Sequence, residues 1–307
     1  MTPLAVVFAV LIAVPGPVAD VGGHLERSGE ADFSGEQLVT CDTPDGPRDS
    51  LFQIAQVDGS VLAWEIGSDE VLVSIGGGLT AMVTGGGSET VVLEGSTAGN
   101  APVSYETHDT SSVSYLGRDS QEVSMHRDGT ERVRMVIDTE TGVVVRMRTF
   151  DADGTIYCDR RLISFSPGNG GVPDFDVDHD GEAVQRLEEA PSMLPEELAG
   201  FELVDTYAME DGTLSYYSDG FFSFGVVVTD RPLGFAAGSQ IVTDDTARGE
   251  YRRSYEAGRV TVAWTSATGS VAFIGDTPPD LTEEALEGLP DPVNPNLLER
   301  IWNRLFR

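Results

Sequence analysis

From residue 33 to about residue 165, short apolar runs alternate with turn signals. The runs at 36–41, 49–57, 61–66, 70–75, 79–83 and 89–93 are separated by Pro44-Asp45-Gly46, Asp58-Gly59 and glycine triplets at 76–78 and 85–87. Runs of this length, about 8–12 residues apart, predict antiparallel β-structure. The clearest stretch is 115–165. Four runs, 120–127, 131–137, 143–150 and 155–165, are joined by turns at Asp128-Gly129, 138–142 and 151–154, which predicts a meander. Arg alternates with apolar residues at 132–137 and 143–148, predicting one solvated and one buried face. The Ser-rich stretch 110–114 reads as loop running into strand.

Residues 167–173, Pro-Gly-Asn-Gly-Gly-Val-Pro, have the composition of a linker. The acidic stretch after them is expected to turn helical over 182–189. A second β-rich unit follows, with runs at 201–207, 213–218, 221–229, 249–255, 259–265 and 270–274 and turns at Asp211-Gly212, Asp219-Gly220 and Ala257-Gly258. Residues 278–289 read as a short helix opened by Pro and acids and closed at Gly288. No repeat of fixed period is evident.

A length of 307 residues suits about two domains, and 35 Gly with 16 Pro fit turn-rich β-structure. Acidic residues outnumber basic ones 51 to 19, giving a net charge of −32. That argues against a nucleic-acid partner, since a phosphate backbone needs a basic face. All 19 basic residues are Arg, so neither a Schiff-base Lys nor a phosphate-loop Lys exists. The acidity reads as halophilic, salt-rich adaptation of the surface rather than mechanism.

Residues 4–14 form an apolar run of signal-peptide length, too short to span a bilayer, ended by Pro15, Gly16 and Pro17. Export is favoured over a buried apolar strand, with a signal peptide over 1–19 and no membrane span in the mature chain. The two cysteines, Cys41 and Cys158, suit either one disulfide between the first and last strands of the first domain or two buried thiols.

Catalysis is poorly supported by the sequence. There is no G-x-S-x-G, H-E-x-x-H or C-x-x-C, and carboxylate pairs carry no information among 51 acids. Asp176, Asp178 and Asp180, followed by Gly181, match the opening of a calcium loop, but the twelfth position is Leu187 rather than Glu. Calcium binding therefore stands against a plain acidic linker, and no other cofactor is expected. At the C-terminus, Leu297, Leu298, Ile301, Trp302, Leu305 and Phe306 share one helical face, with Arg300, Arg304 and Arg307 elsewhere. This helix either docks on the protein's own core or contacts a membrane surface or partner.

Residues 115–125, Tyr-Leu-Gly-Arg-Asp-Ser-Gln-Glu-Val-Ser-Met, followed by the D-x-x-T-G turn at 138–142 and the D-x-x-G turn at 151–154, resemble the N-terminal domain of the MucB/RseB family. Here two further Val residues separate Val143 from Arg146. Residues 33–39 look like that domain's opening strand. Leu198-Ala-Gly-Phe-Glu-Leu-Val-Asp205, the stretch 216–227 and Ser270-Val-Ala-Phe-Ile-Gly-Asp276 followed by the Pro-initiated helix resemble the family's C-terminal domain. The resemblance covers roughly 33–289, with both domains in order.

It implies a β-rich α+β fold: a LolA/LppX-like curved antiparallel half-barrel, closed on one side by helices, then a smaller antiparallel α+β domain. The expected boundaries are a signal peptide (1–19), the N-terminal domain (33–166), a linker (167–192), the C-terminal domain (193–289), and a Pro-rich hinge with the amphipathic helix (290–307). The resemblance further implies an exported, non-enzymatic regulator of sigma-E type. Such a protein binds the extracytoplasmic part of a membrane-bound anti-sigma factor in envelope-stress signalling. The alternatives are a carrier or sensor of a lipid or other apolar envelope ligand, and a structural envelope protein.

Overall fold

In the computed structural model, the structure describes residues 4–5, 31–57, 60–66, 70–75, 79–84, 91–93, 105–168, 182–184, 186–187, 194–209, 211–235, 239–256 and 258–293. Among the described residues the first large unit is a ten-stranded antiparallel sheet. Its strands are β1 (Phe33–Cys41), β2 (Arg48–Val57), β3 (Ser60–Glu65), β4 (Glu70–Ile75), β5 (Leu79–Thr84), β6 (Glu106–Tyr115), β7 (Arg118–Arg127), β8 (Thr130–Asp138), β9 (Val144–Phe150) and β10 (Ile156–Pro167). Their order across the sheet is β5-β4-β3-β2-β1-β10-β9-β8-β7-β6. Two five-strand meanders are thus zipped together by their first and last strands.

The second unit has eight strands: β11 (Glu197–Leu198), β12 (Phe201–Met209), β13 (Gly212–Ser218), β14 (Ser223–Thr229), β15 (Ile241–Asp245), β16 (Glu250–Glu256), β17 (Arg259–Ser266) and β18 (Gly269–Gly275). Their order, β11-β12-β13-β14-β18-β17-β16-β15, repeats the plan on a smaller scale. Helix α1 (Pro279–Glu287) follows, with Pro at its start and Asp280 in its first turn, and Gly288 ends it.

The expected meander forms, and its turns show why. Asp128 and Gly129 both take positive φ, 53° and 76°, which matches the twist of a two-residue hairpin. In the turn after β8, the Asp138 carboxylate accepts the backbone N–H and the hydroxyl of Thr141, while Gly142 N–H closes on the Asp138 carbonyl at 2.8 Å. Arg118 braces the same carboxylate with two N–H groups, at 2.7 and 3.1 Å. A bulge takes up one residue of the Val run: Val136 pairs with Arg146 and Ile137 with Val144, leaving Val145 without an opposite residue.

The main core lies between the two sheets. Val123 and Met125 of β7 and Val133, Met135 and Ile137 of β8 share one apolar cluster with Phe201, Tyr217, Phe224, Val262 and Phe273 of the second sheet and with Leu281, Ala285 and Leu286 of α1. Phe224 is its hub, stacked on Tyr217 and Phe273 and edge-on to Phe201. Val136 of β8 joins a different cluster, with Phe33, Ile54, Val61, Val145 and Leu162. The far side of the second sheet packs Tyr207, Leu214, Val227 and Ile274 around Leu233.

Some elements differ from expectation. Residues 182–189 do not begin as a helix: Glu182–Val184 is a strand parallel to Val91–Leu93. Arg186 bridges to Tyr207, and Leu187 N–H donates to the Thr206 carbonyl at 2.7 Å. Eight residues sustain a helix poorly, whereas neighbouring strands satisfy the backbone at once. The stretch 110–114 is strand throughout, within β6. Residues 197–198 and 241–245 add strands that no apolar run announced. Among the described residues the one helix is α1, beside the second sheet, so no further helix there covers the first. Leu4–Ala5 pairs in parallel with Leu233–Gly234, while the rest of 1–19 lies outside the described residues.

Candidate functional site: the seam between the sheets

The contact between the sheets is apolar at its centre and charged along its margin. Arg127, the last residue of β7, crosses from one sheet to the other. Its Nη1 donates to Asp219 at 3.1 Å, its Nη2 donates to the Ala199 carbonyl at 2.6 Å, and its guanidinium carbon lies 5.4 Å from the centre of the Phe201 ring. The backbone is shaped to receive it: Ala199 and Gly200 take φ of 52° and 73°, and a Cβ on Gly200 would fall 1.9 Å from Arg127 Nη2. Asp219 also accepts the Tyr105 hydroxyl at 2.7 Å and the N–H groups of Phe221 and Phe222 at 2.9 and 2.8 Å. Burial holds the Asp219 carboxyl above its ordinary range despite these donors, and burial beside Asp219 raises the Tyr105 hydroxyl well above its own.

A second crossing runs from β10. Arg160 reaches Asp276, just beyond β18, at 3.4 Å, and both side chains are buried. Asp276 also accepts the Ser223 N–H at 3.3 Å. Two further contacts cross the seam. Arg132 of β8 pairs with Asp280 of α1 at 2.7 Å, and Arg48 of β2 donates to the Tyr255 carbonyl at 3.1 Å. Arg48 also hydrogen-bonds Gln240, which in turn donates to Asp45 at 2.9 Å.

Cys41 and Cys158 face each other across β1 and β10, their Cα atoms 4.1 Å apart, and are joined as a disulfide. The turn between β16 and β17 sits directly on it. At Gly258, with φ 81°, an added Cβ would lie 2.8 Å from Cys41 Sγ and 3.1 Å from Cys158 Sγ. The disulfide is thus both a tie within the first sheet and part of the floor on which the second rests.

Asp176, Asp178 and Asp180 lie outside the described residues, as do Leu297, Leu298, Ile301, Trp302, Leu305 and Phe306. Among the described residues no group of three or more His, Cys, Asp or Glu side chains is arranged to hold a metal ion. His126 and His108 do meet, with ring centres 4.4 Å apart. The seam residues were not singled out by sequence. Asp219 reads there as a turn residue. Arg160 did leave a trace: it alternates with Cys158 and Leu162, so a charge falls in register with two buried apolar positions. What the seam offers chemically is mechanical coupling of the two sheets, with each acid held by Arg or by N–H and O–H donors.

No protein-family model and no curated protein matches the chain. Among solved structures it is similar to MucB in complex with MucA(peri), at 17% identity and a TM-score of 0.48, covering 90% of this chain and 99% of that one. It is also similar to the MucA/MucB complex structure from Pseudomonas aeruginosa, at 17% identity and a TM-score of 0.46, covering 88% and 98%. A LolA superfamily protein, NE2245 from Nitrosomonas europaea, is similar at 8% identity and a TM-score of 0.23, covering 82% and 89%.

Proposed function

We propose that this chain is an exported, non-enzymatic regulator that binds the extracytoplasmic part of a membrane anti-sigma factor and so modulates envelope-stress signalling. The observation that carries the reading is where the MucB/RseB-like sequence signatures lie. The signature 115–125 lies in the β6–β7 hairpin, whose β7 ends at Arg127. The 198–205 signature supplies the Ala199 carbonyl that Arg127 meets, and the 216–227 signature supplies Asp219. Residues that look like family marks in sequence are therefore turn and seam residues, which fits a two-part binding protein better than a reaction centre.

Export is supported by the apolar run at 4–14 and by the disulfide, which persists in oxidising compartments. No helix among the described residues is long and apolar enough to cross a membrane. The amphipathic face at 297–306 is a second contact surface in this reading, toward the membrane or the same partner.

The test is a native pull-down from the envelope fraction of the source cells, combined with lipid extraction of the purified mature protein. Recovery of a single-span protein with a small cytoplasmic domain is the expected result. Stoichiometric lipid without such a protein would replace this reading with that of an apolar-ligand carrier. Recovery of neither would also overturn it.

A further inference from the structure

The two acids of the seam are furnished differently. Asp219 accepts four donors at 2.7–3.1 Å. Asp276, only 4% exposed, meets Ser223 N–H and Arg160 at 3.3 and 3.4 Å, both long for a buried carboxylate. The charged and titratable groups that face it are Arg160 and Tyr157 from β10, Asp219 from the turn between β13 and β14, and Tyr216 from β13. Arg160 favours the ionised form, whereas burial and the charge of Asp219 oppose it.

We propose that the seam is a proton-linked joint, closed most firmly when the Asp276 carboxyl is neutral and loosened when that carboxyl ionises. A neutral carboxyl still accepts the Arg160 hydrogen bond through its carbonyl oxygen, and it no longer repels the charge of Asp219. In the closed seam, burial first and Asp219 with it raise Asp276 from 3.8 to about 6, with Arg160 and Ser223 pulling the other way. Parting the sheets lets water reach the carboxyl and returns it to the ordinary range. The closed form therefore binds the proton more tightly than the open one. Acidification from neutral pH through 6 favours closure, and the gain is complete below the ordinary carboxylate range. Asp219 is shifted in the same direction, so it adds to the effect. A partner that needs the sheets apart would meet a loose joint near pH 7 and a stiff one near pH 5.

The disulfide gives the readout. Its sulfurs lie beneath Gly258, so reduction of the intact native protein by a water-soluble phosphine reports opening of the seam. Wild type and Asp276→Asn are compared at each pH, which cancels the reagent's own pH dependence. Wild type should be reduced faster at pH 7.5, and its advantage should shrink roughly 25-fold by pH 4.5. A rate ratio that does not change with pH overturns the proposal. Carbon-13 NMR titration of the Asp276 carboxyl in wild type provides a second test that needs no variant. A midpoint near 6 supports the joint, and one below about 4.5 refutes it.

Discussion

At the tip of the β6–β7 hairpin, Leu116 takes a φ of 50° and is 45% exposed, and Gly117 follows at 75°. The left-handed region costs an ordinary L-residue about 1–2 kcal/mol, and Asn tolerates it far better. Leu116→Asn should therefore raise stability by about 0.5–1 kcal/mol, measured as a higher denaturation midpoint with unchanged slope. Gly258 is the opposite case. Its φ of 81° disfavours any side chain, and a Cβ there would meet both sulfurs of the disulfide. Gly258→Ala should cost about 1–3 kcal/mol in the same measurement. An Ala as stable as the Gly would mean that the turn does not rest on the disulfide.

Among the elements, β8 stands out because both its faces are apolar at one level: Met135 and Ile137 enter the inter-sheet core, Val136 the cluster behind. β14 is its counterpart in the second sheet, with Phe224 on one side and Val227 on the other. Phe224→Ala should destabilise the protein by about 3–5 kcal/mol, seen in chemical denaturation. The change should register on both sheets together, because Phe224 belongs to their common core. The strands of the 115–165 meander were legible because Asp-Gly turns mark their ends and each alternates in period two. β15 was not: its residues 241–245 form an edge strand with no buried position, so no apolar run marks it. The acids at 182–189 suggested a helix because composition carries no information about which strand lies nearby. The seam escaped for a related reason. Arg127, Asp219, Arg160 and Asp276 are far apart in the chain, and their pairing depends on which faces the sheets present to each other. The disulfide was partly legible, since two cysteines leave a single pairing if they bond at all.

For the molecule as a whole, the shared plan of the two sheets matters most. Each is two meanders joined by one central pair of strands, β1 with β10 and β14 with β18. Such a pair closes a long stretch of chain, which is entropically expensive. The disulfide across β1 and β10 removes that entropy from the unfolded chain, over a separation of 117 residues. Replacing Cys41 and Cys158 together by Ser should lower global stability by about 4–5 kcal/mol in the chain-entropy account, read from denaturation curves. A loss well below 1 kcal/mol would show that the packing of β1 on β10 needs no tie.

The seating of Gly258 on the sulfurs also has a consequence for biosynthesis. Cys158 leaves the ribosome a hundred residues before the hairpin that covers it. While that hairpin is still unmade, the two thiols stand open to an oxidant. Once the second sheet has docked, Cys158 is fully enclosed and Cys41 nearly so. The geometry therefore favours an order of events: the bond forms most readily before the second sheet docks, and afterwards an oxidant reaches the thiols only when the seam opens.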